Sequence, residues 1–519
     1  MNLRARLTGL SALFIAVNLG AGCSTFAYEN QIQKDPPAHE PSLASFRITH
    51  DRKDPAAGKK RTLFILAFSG GGSRSAYLAT SVMFSLQKLY ADERLNLLRE
   101  VDAISAVSGG TLPAAYYAIT ADPGAAKPAS GRYWEERSVR RLMRRSFISR
   151  FAFSFFLPHN FLRYWFTSYD RSDLMAQRFA DNLFDTPLFG FDLKFKDINP
   201  ERPNLIINAT NATAGDDFGN NFTFTEEDFR ETLCSDIGQF RIAKAVMASS
   251  AFPAVFHFLT QKNYRRGGNS VACSEDSERY VHLFDGGNND NLGLKGVSRL
   301  IETNADQYDR FVVILVDAYI NNGGVSESLY DPRGILDYTV NMNITESTDV
   351  LLRENRANQI HRLAQQLSKY PNSLFYHINF ANIKDPVHRK ELNSIPTNFR
   401  ISRAQAQSID RAVQRLIVKE NRCLIAIKDL LSSLPGSVEK SQTENLIPSS
   451  VVAPPQSNNS FHAPAVPYFG QETTPISTIR PTDNSQNTGH SSTEEPSTVL
   501  HTSPFYAGIE NSKYCTWER

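Results

Sequence analysis

The sequence predicts an α/β fold built on a mainly parallel sheet, and three observations lead there. Short, mostly apolar runs of strand length recur at 62–68, 204–208, 280–284 and 311–316, separated by longer segments. The first run, Thr62 to Phe68, is almost continuously apolar, as in a strand buried on both faces. It ends in Ser69-Gly70-Gly71-Gly72 and gives way to Tyr77, Leu78, Val82, Phe84, Leu86 and Leu89 at roughly helical spacing, so the unit reads strand, tight loop, helix. Two long helices, near 345–370 and 403–432, are expected to close the domain.

Composition bounds the alternatives. The 519 residues are 41% hydrophobic and 21% charged, enough for a sizeable core and incompatible with a wholly disordered chain. A formal charge of +2 lacks the basic footprint of a nucleic-acid binder. No apolar run in the body reaches the eighteen or so residues of a membrane span.

The N-terminus carries basic Arg4 and Arg6, an apolar stretch from Leu7 to Leu19, and Gly20-Ala21-Gly22-Cys23. That is a secretory signal, and small residues before Cys23 resemble a bacterial lipobox, although Gly20 stands where a branched residue is usual. Residues 1–23 are therefore expected to be a signal peptide and Cys23 an acylated mature N-terminus. By the same resemblance Ser24 directs the protein to the outer membrane. Residues 24–60, with Pro36, Pro37, Pro41 and Pro55, read as a polar tether. Residues 61–435 form the expected folded domain. In residues 436–519, rich in Ser, Thr, Pro and Asn, too few apolar side chains remain to offset ordering entropy; the aromatic and cysteine-containing end, Tyr514 to Trp517, is placed to dock back on the body. Besides Cys23, four cysteines remain, Cys234, Cys273, Cys423 and Cys515, and in an oxidising compartment they allow three pairings. Cys423 lies in an amphipathic helix and reads on its own as a buried thiol.

Three segments carry chemistry. Glycines 70–72, between a strand and a helix, free backbone N–H groups to converge on an anion at the helix N-terminus. Without Gly-Lys-Ser/Thr the loop is no P-loop, and Ser75 replaces the third glycine of a dinucleotide fingerprint. In Val101 to Thr111, Ala106 and Gly110 flank Ser108 two residues away on either side, the small neighbours that a nucleophile elbow requires. Ser105 lacks a glycine two residues on. The third segment, His282-Leu283-Phe284-Asp285-Gly286-Gly287, is a strand ending in a carboxylate at a turn. Gly296 stands where an EF-hand counted from Asp285 needs glutamate, so calcium is not expected there.

In this order the segments resemble the patatin-like phospholipase family and its relatives, the cytosolic phospholipase A2 group. The glycine loop ending in Arg74, the elbow at Ser108 and Asp285-Gly286-Gly287 carry the resemblance, and Ala248-Ser249-Ser250-Ala251-Phe252-Pro253-Ala254-Val255-Phe256 agrees with a fourth block. The resemblance implies a three-layer α/β sandwich and a serine acyl hydrolase of phospholipid or other lipid esters. Ser108 would be the nucleophile, Asp285 the base, and Gly70, Gly71 and Gly72 the oxyanion hole. Arg74, Gly110, Gly286 and Gly287 would support them, without metal or cofactor. Arg74 would either hold the loop or meet a lipid phosphate. Two alternatives stay open: an inactive relative that binds lipid, and an esterase with a Ser-His-Asp triad drawing on His361, His377 or His388. Between Arg140 and Phe166, arginines 140, 141, 144, 145 and 150 precede a run of aromatics. Such a segment suits either a lipid interface or a core helix pair with a basic edge.

Overall fold

In the computed structural model the described residues are 28–33, 43–49, 62–147, 170–186, 190–213, 220–253, 256–265, 272–320, 343–398, 400–432 and 514–515. Cys23, residues 148–169 and nearly all of the Ser/Thr/Pro-rich tail lie outside them. The strands are β1 (Gln31–Ile32), β2 (Thr62–Phe68), β3 (Ala103–Val107), β4 (Asn204–Asn211), β5 (Asn221–Phe224), β6 (Ser235–Asp236), β7 (Leu259–Asn263), β8 (Arg279–Asp285), β9 (Arg310–Asp317), β10 (Leu374–Asn379) and β11 (Tyr514–Cys515). The main helices are α1 (Gly72–Lys88), α2 (Thr111–Ile119), α3 (Glu136–Met143), α4 (Arg171–Phe179), α5 (Glu226–Leu233), α6 (Ile242–Ser249), α7 (Leu294–Asn304), α8 (Asn343–Leu367), α9 (Pro386–Asn393), α10 (Arg403–Leu416) and α11 (Arg422–Ser432).

The central sheet runs β11-β10-β9-β2-β3-β4-β8-β7, with β5 also paired to β4. Pairs from β11 to β4 are parallel, and β8, β7 and β5 join antiparallel. The mainly parallel α/β expectation therefore holds. Along β2 every residue is buried, and successive side chains feed two cores. Phe64, Leu66 and Phe68 pack with residues of α1, α2, α6 and α10, whereas Leu63, Ile65 and Ala67 pack with residues of α7 and α8. Two apolar faces covered by helices make the three layers.

Several expectations need correction. Residues 43–49 are no tether: Phe46 and Ile48 sit in the α7/α8 core, and Leu43 in the other. Asn304 fixes the segment, donating to Phe46 O and accepting from Ile48 N–H. Residues 403–432 form two helices rather than one, because Asn421 turns the chain and its side chain caps α11 through Cys423 N–H. Cys423 is disulfide-bonded, not a free thiol, and Cys234 pairs with Cys273. Tyr514–Cys515 extends the sheet beside β10, so the end of the tail does return to the body.

Candidate active site

Register places the two key side chains. Val107 pairs with Asn208 and Ala209 with Asp285, so the residue after Val107, Ser108, comes level with Asp285 across β3, β4 and β8. Ser108 has φ of 49°, a left-handed conformation uncommon for a residue with Cβ, and it opens the tight turn into α2. This is the strained strand-to-helix turn that an elbow requires. The turn needs glycine at 109, where a Cβ would stand 2.0 Å from Gly72 O.

Ser108 Oγ donates to Asp285 Oδ2 at 3.2 Å, and Asp285 Oδ1 accepts from Gly287 N–H at 2.8 Å. Asp285 is buried, and burial pushes its carboxyl up to about 6 against the opposing hydrogen bonds from Gly287 and Ser108. A carboxylate with that affinity for protons is a better base than an ordinary aspartate, and it stays ionised above pH 6.

The glycine loop faces the elbow. Gly70 N–H is committed to Asn291 O at 2.9 Å, and Ser73 N–H to Asn398 O at 2.7 Å. Among the described residues Gly71 and Gly72 N–H have no such acceptor, so the expected oxyanion trio narrows to these two, at the start of α1. Gly72 must be glycine on two counts: φ is +58°, and a Cβ would meet Asn398 O at 2.4 Å. Arg74 is buried and braces the loop. It donates through Nε to Ala318 O (2.8 Å) and through its terminal nitrogens to Ile395 O (2.6 Å) and Thr397 Oγ1 (2.9 Å). A head so enclosed is not presented to a lipid phosphate. Gly110 and Gly286 allow close packing, against Ser69 O and Asn208 O respectively.

Two contributors carry weak signals in the sequence. Ser249 Oγ accepts Ser108 N–H (2.9 Å) and donates to Asn208 O (2.5 Å), so the Ala248–Phe256 block holds the backbone of Ser108. Only membership of that block signalled Ser249. Asn291 holds Gly70 through its carbonyl, and its side-chain oxygen lies 2.3 Å from where a Gly70 Cβ would be. The Asn-rich stretch after Asp285 hid it. The neighbouring Asp290 caps the start of α7, accepting from Leu292, Leu294 and Lys295 N–H.

The histidines stand elsewhere. His377 is buried against Asp317, His388 bonds Ser408 O, and His361 pairs with Gln365, so each ring is engaged away from Ser108. The triad alternative has no geometric support. Arg140, for which a lipid interface and a basic helix edge were both open, is tied to Asp410 (2.6 Å) and Glu136 (2.9 Å), and Arg145 donates to Asn182 Oδ1. The aromatic half of that segment lies outside the described residues.

Among solved structures, human GIVD cytosolic phospholipase A2 is similar at 11% identity and a TM-score of 0.42, over 72% of this chain and 60% of that one. VipD from Legionella pneumophila is similar at 13% identity and a TM-score of 0.26, over 69% of each chain. The chain thus spans about three fifths of the human protein's length. None of the curated proteins matches. The family model described as patatin-like phospholipase matches residues 66–297, a stretch that includes the glycine loop, the elbow and Asp285. Residues 66–297 thus make up a patatin-like phospholipase domain.

Proposed function

We propose that the protein hydrolyses fatty-acyl esters of phospholipids or other lipids through an acyl-enzyme on Ser108. The observation that carries this is the Ser108 Oγ–Asp285 Oδ2 hydrogen bond at 3.2 Å, beside two N–H groups of the glycine loop that have no backbone acceptor among the described residues. Asp285 takes the hydroxyl proton as Oγ attacks the ester carbonyl. The oxyanion that forms accepts from Gly71 and Gly72 N–H, and each such donor is worth roughly 3–4 kcal/mol in the transition state. Collapse transfers the proton from Asp285 to the departing alcohol and leaves the acyl group on Ser108. Water, deprotonated by Asp285, then attacks the acyl-enzyme, and Ser108 Oγ takes that proton back as the fatty acid leaves.

The test is incubation of the purified protein with a mixed lipid panel, with released fatty acids and lysolipids read by mass spectrometry. Release by the wild type and none by Ser108→Ala supports the reading. Specific lipid binding with no release would favour the inactive relative.

Arg74 enters this scheme as a positioning residue. Arg74→Lys keeps the charge but cannot reach three acceptors with one planar fork. It should lower kcat by roughly ten- to a hundredfold, with KM little changed, because the loop donors act on the oxyanion rather than on bound ester. A rise in KM alone would return Arg74 to substrate binding.

We also propose that Cys23 is acylated and that the protein is an outer-membrane lipoprotein. The Leu19–Ser24 pattern supports this. Three acyl chains would hold the protein firmly where a single chain gives marginal binding.

A further inference from the structure

Residues 28–33 are not a free leash. Glu29 receives Arg241 through Nε and a terminal nitrogen, both at 2.6 Å, and Asn30 exchanges side-chain hydrogen bonds with the backbone of Lys262. β1 then pairs with β6, and Gln33 N–H donates to the carbonyl of Cys234, whose disulfide to Cys273 staples that corner. The strap is thus fastened to the β7 edge of the sheet five residues after Cys23. Five extended residues reach at most roughly 18 Å. A leash running on to residue 60 would have let the body turn freely.

The surface at that point sets aromatic rings among charged and polar side chains, Lys194, Arg241 and Lys244 included. The Tyr28 ring lies 5.0 Å from that of Tyr280, and the Phe258 ring 4.5 Å from His282, along one groove of about 810 Å³. Phe258 is 50% exposed and Tyr280 37%. Leu259 pairs with Leu283, so Phe258 stands at the end of the β7–β8 hairpin that bears Asp285.

We propose that the β7–β8 edge, with Tyr28, Phe258 and Tyr280, is the face that lies on the bilayer carrying the Cys23 lipid. The occupant is a lipid surface: the short distance from Cys23 fixes which side of the body meets it, and tyrosine and phenylalanine suit the headgroup boundary. The inference rests on the acylation proposed above and is independent of whether Ser108 is active. It gives the site its substrate by geometry, with the hairpin of Asp285 at the membrane and the β11 edge, seven strand spacings or roughly 34 Å away, turned from it.

The test uses full-length acylated protein reconstituted into phosphatidylethanolamine/phosphatidylglycerol vesicles, compared with soluble Cys23→Ser. Hydrogen exchange is followed at 252–263 and 279–284, with 386–393 of α9 as the distant reference. Flotation with the vesicles and roughly threefold or slower exchange at the first two segments, with none at the third, is the expected result. A twenty-residue Gly/Ser insertion between Thr25 and Phe26 should keep flotation and lose the difference. Flotation with equal exchange everywhere, or protection at 386–393, overturns the orientation and leaves the anchor standing. Absence of flotation overturns both, and lipid hydrolysis in the panel assay is unaffected by either outcome.

Discussion

Ester hydrolysis will fall by about four orders of magnitude or more in both Ser108→Ala and Asp285→Asn, and the double variant will be scarcely worse than either, because the two groups act on one proton. The wild-type kcat/KM should rise with pH through about 6, where Asp285 loses its proton, and level off above. The same shift has a cost in stability. The native carboxyl holds its proton more tightly than the unfolded one, whose ordinary value is 3.8. The native state is therefore favoured at low pH, and that advantage is lost as pH rises from about 4 to 6. Asp285→Asn removes the buried charge, keeps an oxygen for Gly287 N–H, and should be more stable than wild type at pH 8 by on the order of 1–3 kcal/mol. At pH 4 the gap should nearly close. Urea unfolding at the two pH values, beside turnover of a soluble short-chain ester, measures both effects. A variant that is inactive and also much less stable at pH 8 would mean that Asp285 is structural.

What the sequence disclosed follows from how local each signal is. β2 was legible because a strand buried on both faces is a continuous apolar run. β7, Leu-Thr-Gln-Lys-Asn, was not, since Gln261 and Asn263 are among its buried residues and break any hydrophobic pattern. Residues 43–49 hid for a related reason: four core side chains, Leu43, Ala44, Phe46 and Ile48, are spread among polar neighbours between proline- and charge-rich stretches. At the site, Ser108, Asp285 and the glycines announce themselves by the short-range geometry each must adopt. Ser249 acts on a residue 141 positions away, and Arg140 is neutralised by Asp410 at a separation of 270. No window of sequence contains such pairs. The arginine-rich segment left a lipid interface open beside the helix-edge reading because its partner was out of sight.

Asp317→Asn will cost roughly 3–5 kcal/mol of stability, the penalty for leaving one member of a buried ion pair without its partner. Asp317 ends β9 with no exposed side-chain surface and accepts from Arg356 Nε at 2.7 Å, His377 Nε2 at 3.0 Å and Tyr319 N–H at 2.9 Å. Burial alone would raise its carboxyl, but Arg356 and His377 outweigh it and hold the group well below the usual carboxylate range. Burial likewise lowers His377 against the pull of Asp317. The asparagine would face Arg356 without a charge to meet it. Asp317→Asn combined with Arg356→Met should recover part of the loss, since removing both charges leaves nothing uncompensated. The damage should also reach the glycine loop. Ala318, next in the chain, donates its N–H to Ser69 Oγ and accepts from Arg74 Nε, so a loosened β9 end frees both anchors of the glycine turn. Under conditions where Asp317→Asn remains folded, kcat on a soluble ester should therefore fall while KM holds, and the double variant should regain stability before it regains rate. If thermal unfolding shows less than about 1 kcal/mol of loss, water reaches Arg356 and the pair is not sealed from solvent; unchanged kcat would uncouple β9 from the loop.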